Sequence, residues 1–434
     1  MKSLKKLLLV VILISAVIAA VAYFRDTTPP LVSLTPGEGP VSPLTPFFLA
    51  IEDDGAGIKE VQVHLSQGDL RIQLAHEDFP AATKDARIEF NLEGLRLREG
   101  LFTIEVSAQD HSIYRLGQGN VEDIFFQLTY DSRPPTISVM SRAHNFTRGG
   151  SGLVTFSLDE PVSRAGVFFG DHFFPAYPQE SGIHVSAVTF PYYLEPKDFV
   201  PRIVAVDLAG NERQAGIYYR ANNRQFRQRQ ITITDNFLDM TLPEFMHQVP
   251  NFDTPLETFL YINQEVRREN RATVAALAEK THPEPLWEGV FLRQPRAATQ
   301  GLFADHRTYI YNGKEIDRTV HLGYDLASVA QAEIIATNTG KVIFNDFLGI
   351  YGLCIVIDHG LGIQTLYAHL SQSHVDVGQM INRGDVIGRS GVTGLAGGDH
   401  LHFEVLVGGI PTQPIEWWDA NWQYNNIDSK LKTE

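Results

Sequence analysis

The most regular feature of the chain is a series of short runs in which apolar and polar residues alternate, such as Val61-Gln62-Val63-His64-Leu65 and Phe102-Thr103-Ile104-Glu105-Val106. Successive side chains of an extended strand point to opposite faces. Period-two runs of this length, bounded by Gly, Pro and Asp clusters, therefore predict half-buried antiparallel strands. The runs fall into two stretches that echo each other. Asp26-Thr27-Thr28-Pro29-Pro30 returns as Asp131-Ser132-Arg133-Pro134-Pro135, Ile51-Glu52-Asp53-Asp54 returns as Leu158-Asp159-Glu160, and Ile104 to Asp110 returns as Ile203 to Asp207. The second copy closes on Asp207-Leu208-Ala209-Gly210-Asn211, a tight-turn signal. A repeat of about a hundred residues follows, read as two β-sandwiches over 25–130 and 131–222.

The period changes twice. Between Thr254 and Lys280 the apolar residues Leu256, Phe259, Leu260 and Val266 recur at helical spacing, Thr254 and Glu257 form a capping-box pair, and Pro255 suits the first helical position. These signals predict a short helical connector within 223–285, read as a helix docked on a neighbouring domain in preference to a regulatory element over a groove. At the N-terminus, Lys2, Lys5 and Lys6 precede a run from Leu7 to Tyr23 interrupted only by Ser15, with Arg25 the next charge. That is an export signal over 1–24. It is read as an uncleaved anchor in the inner membrane, although Ala20-Val21-Ala22 offers a cleavage site, and it places the rest of the chain on the extracytoplasmic, periplasmic side.

Composition narrows the chemistry. A formal net charge of −15, with no basic stripe beyond the first six residues, argues against nucleic acid as a partner. Cys354 is the only cysteine, so there is no disulfide and no thiolate cage; a metal must be held by His and carboxylate. Cys354 itself sits in the strand-like Leu353-Cys354-Ile355-Val356-Ile357, as a small buried hydrophobe. The glycine-rich Gly391 to Gly398 lacks the Gly-Lys-Ser/Thr ending of a phosphate loop and is read as a groove wall.

From Gly301 onward the histidines fall into short ordered groups: His321-Leu322-Gly323-Tyr324-Asp325, Tyr367-Ala368-His369-Leu370 and His400-Leu401-His402-Phe403-Glu404. Phe403, Val405 and Val407 mark the last group as a strand, which sends His400 and His402 to one face. Two imidazoles and a carboxylate are a sufficient three-ligand set for a catalytic zinc, which keeps a fourth position for water, and further histidines can take or relay the proton. H-x-H alone is commonplace in strands; the three groups in this order are not.

The segment from about Leu286 to Trp418 resembles the lysostaphin-like, LytM-type zinc endopeptidases of metallopeptidase family twenty-three. The likeness rests on H-x-x-x-D, Y-A-H-L and H-x-H in order, with Val356-Ile357-Asp358-His359-Gly360 and Val386-Ile387-Gly388 between them. It implies zinc (Zn2+) ligands at His321, Asp325 and His402, catalytic histidines at His369 and His400, and an antiparallel β-sheet peptidase domain over 286–420, followed by a tail over 421–434. Asp399 departs from the family's usual proline before H-x-H. His306, His359 and His374 are read as structural, with His306 retaining a chance of touching the groove. The sandwiches resemble bacterial immunoglobulin-like domains without the Cys and Trp landmarks, acting as spacers or as a surface for a protein partner. The expected protein is mainly β: two sandwiches, a helical connector and a peptidase domain that hydrolyses peptide links of peptidoglycan. The alternative is a membrane-tethered, non-catalytic regulator or wall-binding partner of another cell-wall hydrolase.

Overall fold

The computed structural model describes residues 2–24, 26–114 and 118–432. The chain is mainly β, with few helices. Lys2–Phe24 is one α-helix, and its described side chains from Leu8 to Ile18 are exposed. Among the described residues no helix is long and apolar enough to cross a membrane. Met1 and Arg25, which bound the expected export segment, and the side chains of Ala20 and Ala22 at the candidate cleavage site lie outside what is described.

The chain divides into two compact units. The first, built chiefly from Met1–Pro135, holds two mostly antiparallel layers. One comprises Leu31–Thr35, Phe47–Glu52 and Asp85–Phe90; the other is centred on Ile58–Gln67 and Gly100–Asp110. The alternation read from the sequence closes this sandwich. Val63 faces Val106 and Leu65 faces Ile104 in register, and all four are fully buried with Phe47, Leu49 and Ile51 of the opposite layer. The two runs bury their alternate, apolar positions on the same face, so a one-residue slip would expose the whole set.

In the second unit the second repeat contributes an antiparallel sheet of Ile137–Val139, Ser151–Leu158, Ile183–Thr189 and Tyr177–Pro178. Its Leu153, Ile183, Val185 and Ala187 share a core with the C-terminal sheet and the fully buried Trp417. Polar contacts seal that junction: Gln413 N–H donates to the Gly149 carbonyl at 2.8 Å, and the Glu416 carboxylate accepts from Ser151 N–H at 3.2 Å and from Arg224 at 3.1 Å. Burial pushes the Glu416 carboxyl up to about 7, against the pull of Arg224. Folded Glu416 thus keeps a proton that the unfolded chain, titrating near 4.5, has lost. The sign is fixed: this contribution is fully present below pH 4.5 and fades as pH rises to about 7, by about 3 kcal/mol. Thermal unfolding of wild type and Glu416→Gln across this window should show that slope only in the wild type; identical pH profiles would remove the assignment.

The connector departs from expectation. The capping box is present, with Thr254 Oγ1 accepting from Glu257 N–H and Glu257 accepting from Thr254 N–H at 3.0 Å, an arrangement worth about 1 kcal/mol. The helix Pro255–Tyr261 continues through a π-turn, Ile262–Val266, into Arg267–Ala276. Ahead of it, Gln228–Ile233 is a strand rather than helix. It pairs in parallel with Asp305–Tyr311, which pairs antiparallel with Lys314–His321. The connector therefore completes a sheet of the C-terminal region.

The main C-terminal sheet runs Ala298–Gly301, Tyr324–Ala327, Leu401–Val407, Ile363–Ser373, Leu353–Asp358, Gly340–Phe347, Met380–Ile381, its neighbours antiparallel. The strand Leu401–Val407 is buried along its whole length and lies between Tyr324–Ala327 and Ile363–Ser373, placing its two flanking strands' polar residues beside its own.

Candidate metal centre

Register assembles the site. Asp325 is the cross-strand partner of His402, and His402 that of Ala368 on the other side. His321, closing Lys314–His321, enters from the smaller sheet, and His400 stands just ahead of its strand in a bridge with Gly391. Gly323, between His321 and Asp325, permits the approach: a Cβ there would meet the Phe403 carbonyl and lie 2.8 Å from His402 Nε2.

His321 Nε2, Asp325 Oδ1 and His402 Nδ1 converge, 2.9 Å, 2.9 Å and 3.0 Å apart pairwise. Ligands held at about 2.0–2.1 Å from a tetrahedral ion stand about 3.3–3.4 Å apart, so this triangle needs only a slight opening to seat zinc. The donor set, two imidazole nitrogens and one carboxylate oxygen, fits the same ion. The remaining atoms of these side chains are already engaged. His321 Nδ1–H donates to the Leu302 carbonyl at 2.9 Å, Asp325 Oδ2 accepts from Arg307 at 2.8 Å, and His402 Nε2 faces Glu404 Oε1 at 2.8 Å. Such outer partners fix which ring nitrogen is free for a metal.

The electrostatics follow from burial and from these pairs. Burial alone would raise the Asp325 carboxyl, but His321 and the hydrogen bonds from His400 and His402 hold it well below the ordinary carboxylate range. Burial lowers His321 despite Asp325. For His402 burial opposes the charge, yet Asp325 and Glu404 override it and hold the imidazole up at about 9. A proton thus occupies the cluster at neutral pH, and an incoming ion must displace it.

The other two histidines are prepared alike. His369 Nδ1–H donates to the Thr393 carbonyl at 2.8 Å and His400 Nδ1–H to the Gly398 carbonyl at 2.7 Å. His369 is left with Nε2 as its basic atom, His400 turns its Nε2 towards Asp325 Oδ1 at 3.5 Å, and the two rings lie 4.8 Å apart. Burial, then the neighbouring His400 and His402, holds His369 well below its ordinary value, so it stands neutral and able to accept a proton. His369 has φ +61°, a left-handed backbone that costs a non-glycine residue about 1–2 kcal/mol and is found preferentially where function requires it.

All five residues line one cavity of about 600 Å³. The connector, expected as a helix docked on a neighbouring domain, is docked on the C-terminal sheet and also reaches the cavity: Ile231, Phe237, Phe259, Arg267 and Arg271 form part of its wall. Glu244 of the same stretch accepts from Gly394 N–H at 2.7 Å, tying the connector to the glycine-rich loop, whose Gly397 and Gly398 form another part. Asp399 is turned to structural use, accepting from Ser390 Oγ at 2.6 Å and Gln331 N–H at 2.9 Å. His359 is fully buried between the Thr339 carbonyl and Thr365 Oγ1, His374 follows its strand in a loop, and His306 lies outside the cavity, against Phe226. Cys354 is buried and its thiol pushed up by burial.

Sequence reasoning gave no role to Glu404, Tyr351, Arg307, Arg267 or Arg271. Tyr351 O–H donates to Glu404 Oε1 at 3.0 Å, so one carboxylate orients both the tyrosine and His402. Arg267 is held by Asn263 and Arg271 by the Val320 carbonyl, both neutral partners, while Arg271 Nε and Arg307 Nε are buried without one.

The sequence profile of Peptidase family M23 matches residues 319–414, a span containing all five residues. The chain is 38% identical over 96 residues to the DD-carboxypeptidase/endopeptidase Mpg of Neisseria meningitidis, covering 22% of each protein. It is 35% identical over 134 residues to the peptidoglycan DD-endopeptidase ShyB of Vibrio cholerae, 30% of each. It is also 35% identical over 85 residues to the murein hydrolase activator EnvC of Escherichia coli, 20% of each. Each match spans less than a third of the relative's length. The C-terminal part of this chain thus carries a Peptidase family M23 domain over residues 319–414.

Proposed function

We propose that the chain is a zinc-dependent endopeptidase acting on the peptide cross-links of peptidoglycan. The observation that carries this reading is the convergence of a complete three-donor set with two tautomer-fixed histidines in one cavity. His321, Asp325 and His402 would hold the ion. Bound there, zinc would lower the pKa of a coordinated water to about 7 and polarise a peptide carbonyl. His369 and His400 then receive and return the proton at Nε2, because backbone carbonyls hold both Nδ1–H groups. The partly buried guanidinium groups of Arg267 and Arg271 in the same wall, held by neutral partners, favour a substrate bearing carboxylates, as cross-linked stem peptides do.

Similarity alone does not separate hydrolase from activator, since both kinds of name occur among the relatives. The full donor set supports the enzyme. A tether through the N-terminal helix would hold it at the periplasmic face of the inner membrane, with the sandwiches as spacers or partner surfaces.

The deciding experiment incubates the purified full-length chain, with zinc quantified, with isolated peptidoglycan, followed by separation of the released muropeptides. One zinc per chain and loss of cross-linked dimers, abolished in His400→Ala, is the expected outcome. Bound zinc with intact cross-links would favour the regulator.

A further inference from the structure

The first unit carries a second acidic cluster, remote in sequence from the peptidase residues. Asp26, ahead of the first strand, Asp53, just after Phe47–Glu52, and Asp110, closing Gly100–Asp110, bring one carboxylate oxygen each to within 4.8 Å of one another. Asp53 is 5% exposed and Asp110 1%.

Most oxygens here are accounted for. Asp26 Oδ1 accepts from Thr28 and Oδ2 from Ala56 N–H; Asp110 accepts from Ser112 N–H and from Asn120 through backbone and side chain. Asp53 Oδ1 accepts from Gly55 N–H at 2.6 Å, whereas its Oδ2 is buried with no partner within hydrogen-bonding distance. A buried carboxylate oxygen left bare beside two further carboxylates is a cost that a cation removes.

The framework recurs. Asn120 Nδ2 donates to the Asp26 carbonyl at 3.1 Å and to Asp110 Oδ2 at 2.7 Å; Asn211 Nδ2 donates to the Asp131 carbonyl at 3.0 Å and to Asp207 Oδ2 at 2.8 Å. Asp131 and Asp207 are the positions that echo Asp26 and Asp110 in the sequence. The same asparagine clamp at equivalent places in both repeats marks a built feature.

We propose that Asp26, Asp53 and Asp110 form a calcium site. The three donors are carboxylate oxygens from separate segments, which suits a hard cation with flexible geometry better than the stricter octahedron of magnesium. Bound calcium would fasten the stretch that leads into the first strand onto the far end of the sandwich. The site is independent of the peptidase chemistry.

The test uses the full-length, zinc-loaded chain and calcium chloride alone. Calorimetric titration should show calcium binding in the range of about 0.1–1 mM, as in other extracellular modules, with magnesium at least tenfold weaker. Asp53→Asn should lose one site, while its unfolding midpoint in chelator stays at or above that of wild type because a repulsive charge has gone. Wild type that binds no calcium up to about ten times that range, that binds magnesium equally well, or that keeps its stoichiometry in Asp53→Asn would each overturn the proposal. The wild-type titration decides even where the variant folds poorly.

Discussion

Replacing His402 by alanine is expected to leave the purified chain without stoichiometric zinc and to cut cross-link hydrolysis by about a thousandfold or more. The reason lies in the contacts of both ring nitrogens. Nδ1 completes the triangle with His321 Nε2 and Asp325 Oδ1, and Nε2 is the partner of the buried Glu404. Removing the ring takes one of three ligands and leaves Glu404 with only Tyr351, so a modest stability loss of about 1–3 kcal/mol should accompany the loss of metal. Metal analysis by atomic emission and circular dichroism on the same sample separate the two effects. One zinc per folded His402→Ala chain would sink the ligand assignment.

His369 should behave in the opposite way. Its Nδ1–H is bound to the Thr393 carbonyl and its Nε2 belongs to none of the three donor contacts. Its loss should leave zinc content unchanged while turnover falls by about 10²–10⁴. Alanine is a blunt probe here because the backbone at φ +61° is unfavourable to it. Asparagine tolerates that conformation better and offers no basic nitrogen, so His369→Asn should fold, hold one zinc and fail to turn over. Retained turnover in His369→Asn would exclude His369 from proton transfer.

The contrast between these residues was already present in the linear motifs, for a physical reason. Period-two spacing carries His400 and His402 to one side of a strand whatever surrounds it, and the cross-strand pairing of Asp325 with His402 joins two of the motifs directly. Glu404 obeys the same period and stood in the quoted motif, yet its role becomes visible only when the ring of His402 is seen to turn Nε2 towards it. The arginines gave no local signal, since Arg267 and Arg271 occur on a polar helix face that reads as solvent-exposed. What makes them part of the cavity is the packing of that helix, fixed by contacts distant in sequence such as Asn270 Oδ1 accepting from Ile350 N–H.

The strand Gln228–Ile233 escaped the sequence reading for a related cause. Its first three residues are exposed and polar, and only Ile233 is buried, so apolar alternation is confined to Ile231-Thr232-Ile233. Its conformation is imposed by parallel pairing with Asp305–Tyr311, a partner some eighty residues on. In the first sandwich, by contrast, the paired strands Ile58–Gln67 and Gly100–Asp110 both carry the apolar alternation, and the sequence announces them.

That pairing changes what counts as the smallest working piece of this protein. A fragment trimmed to the motif-bearing residues, beginning near Leu286, would expose the edge of Asp305–Tyr311 and discard Phe237, Phe259 and the two helix arginines with it. Such a fragment would offer an unzipped sheet edge, prone to self-association, and a trough open along one flank in place of a walled cleft. The natural place to cut the molecule therefore lies upstream of Gln228, because the wall of the cavity is built partly from residues that no peptidase motif includes.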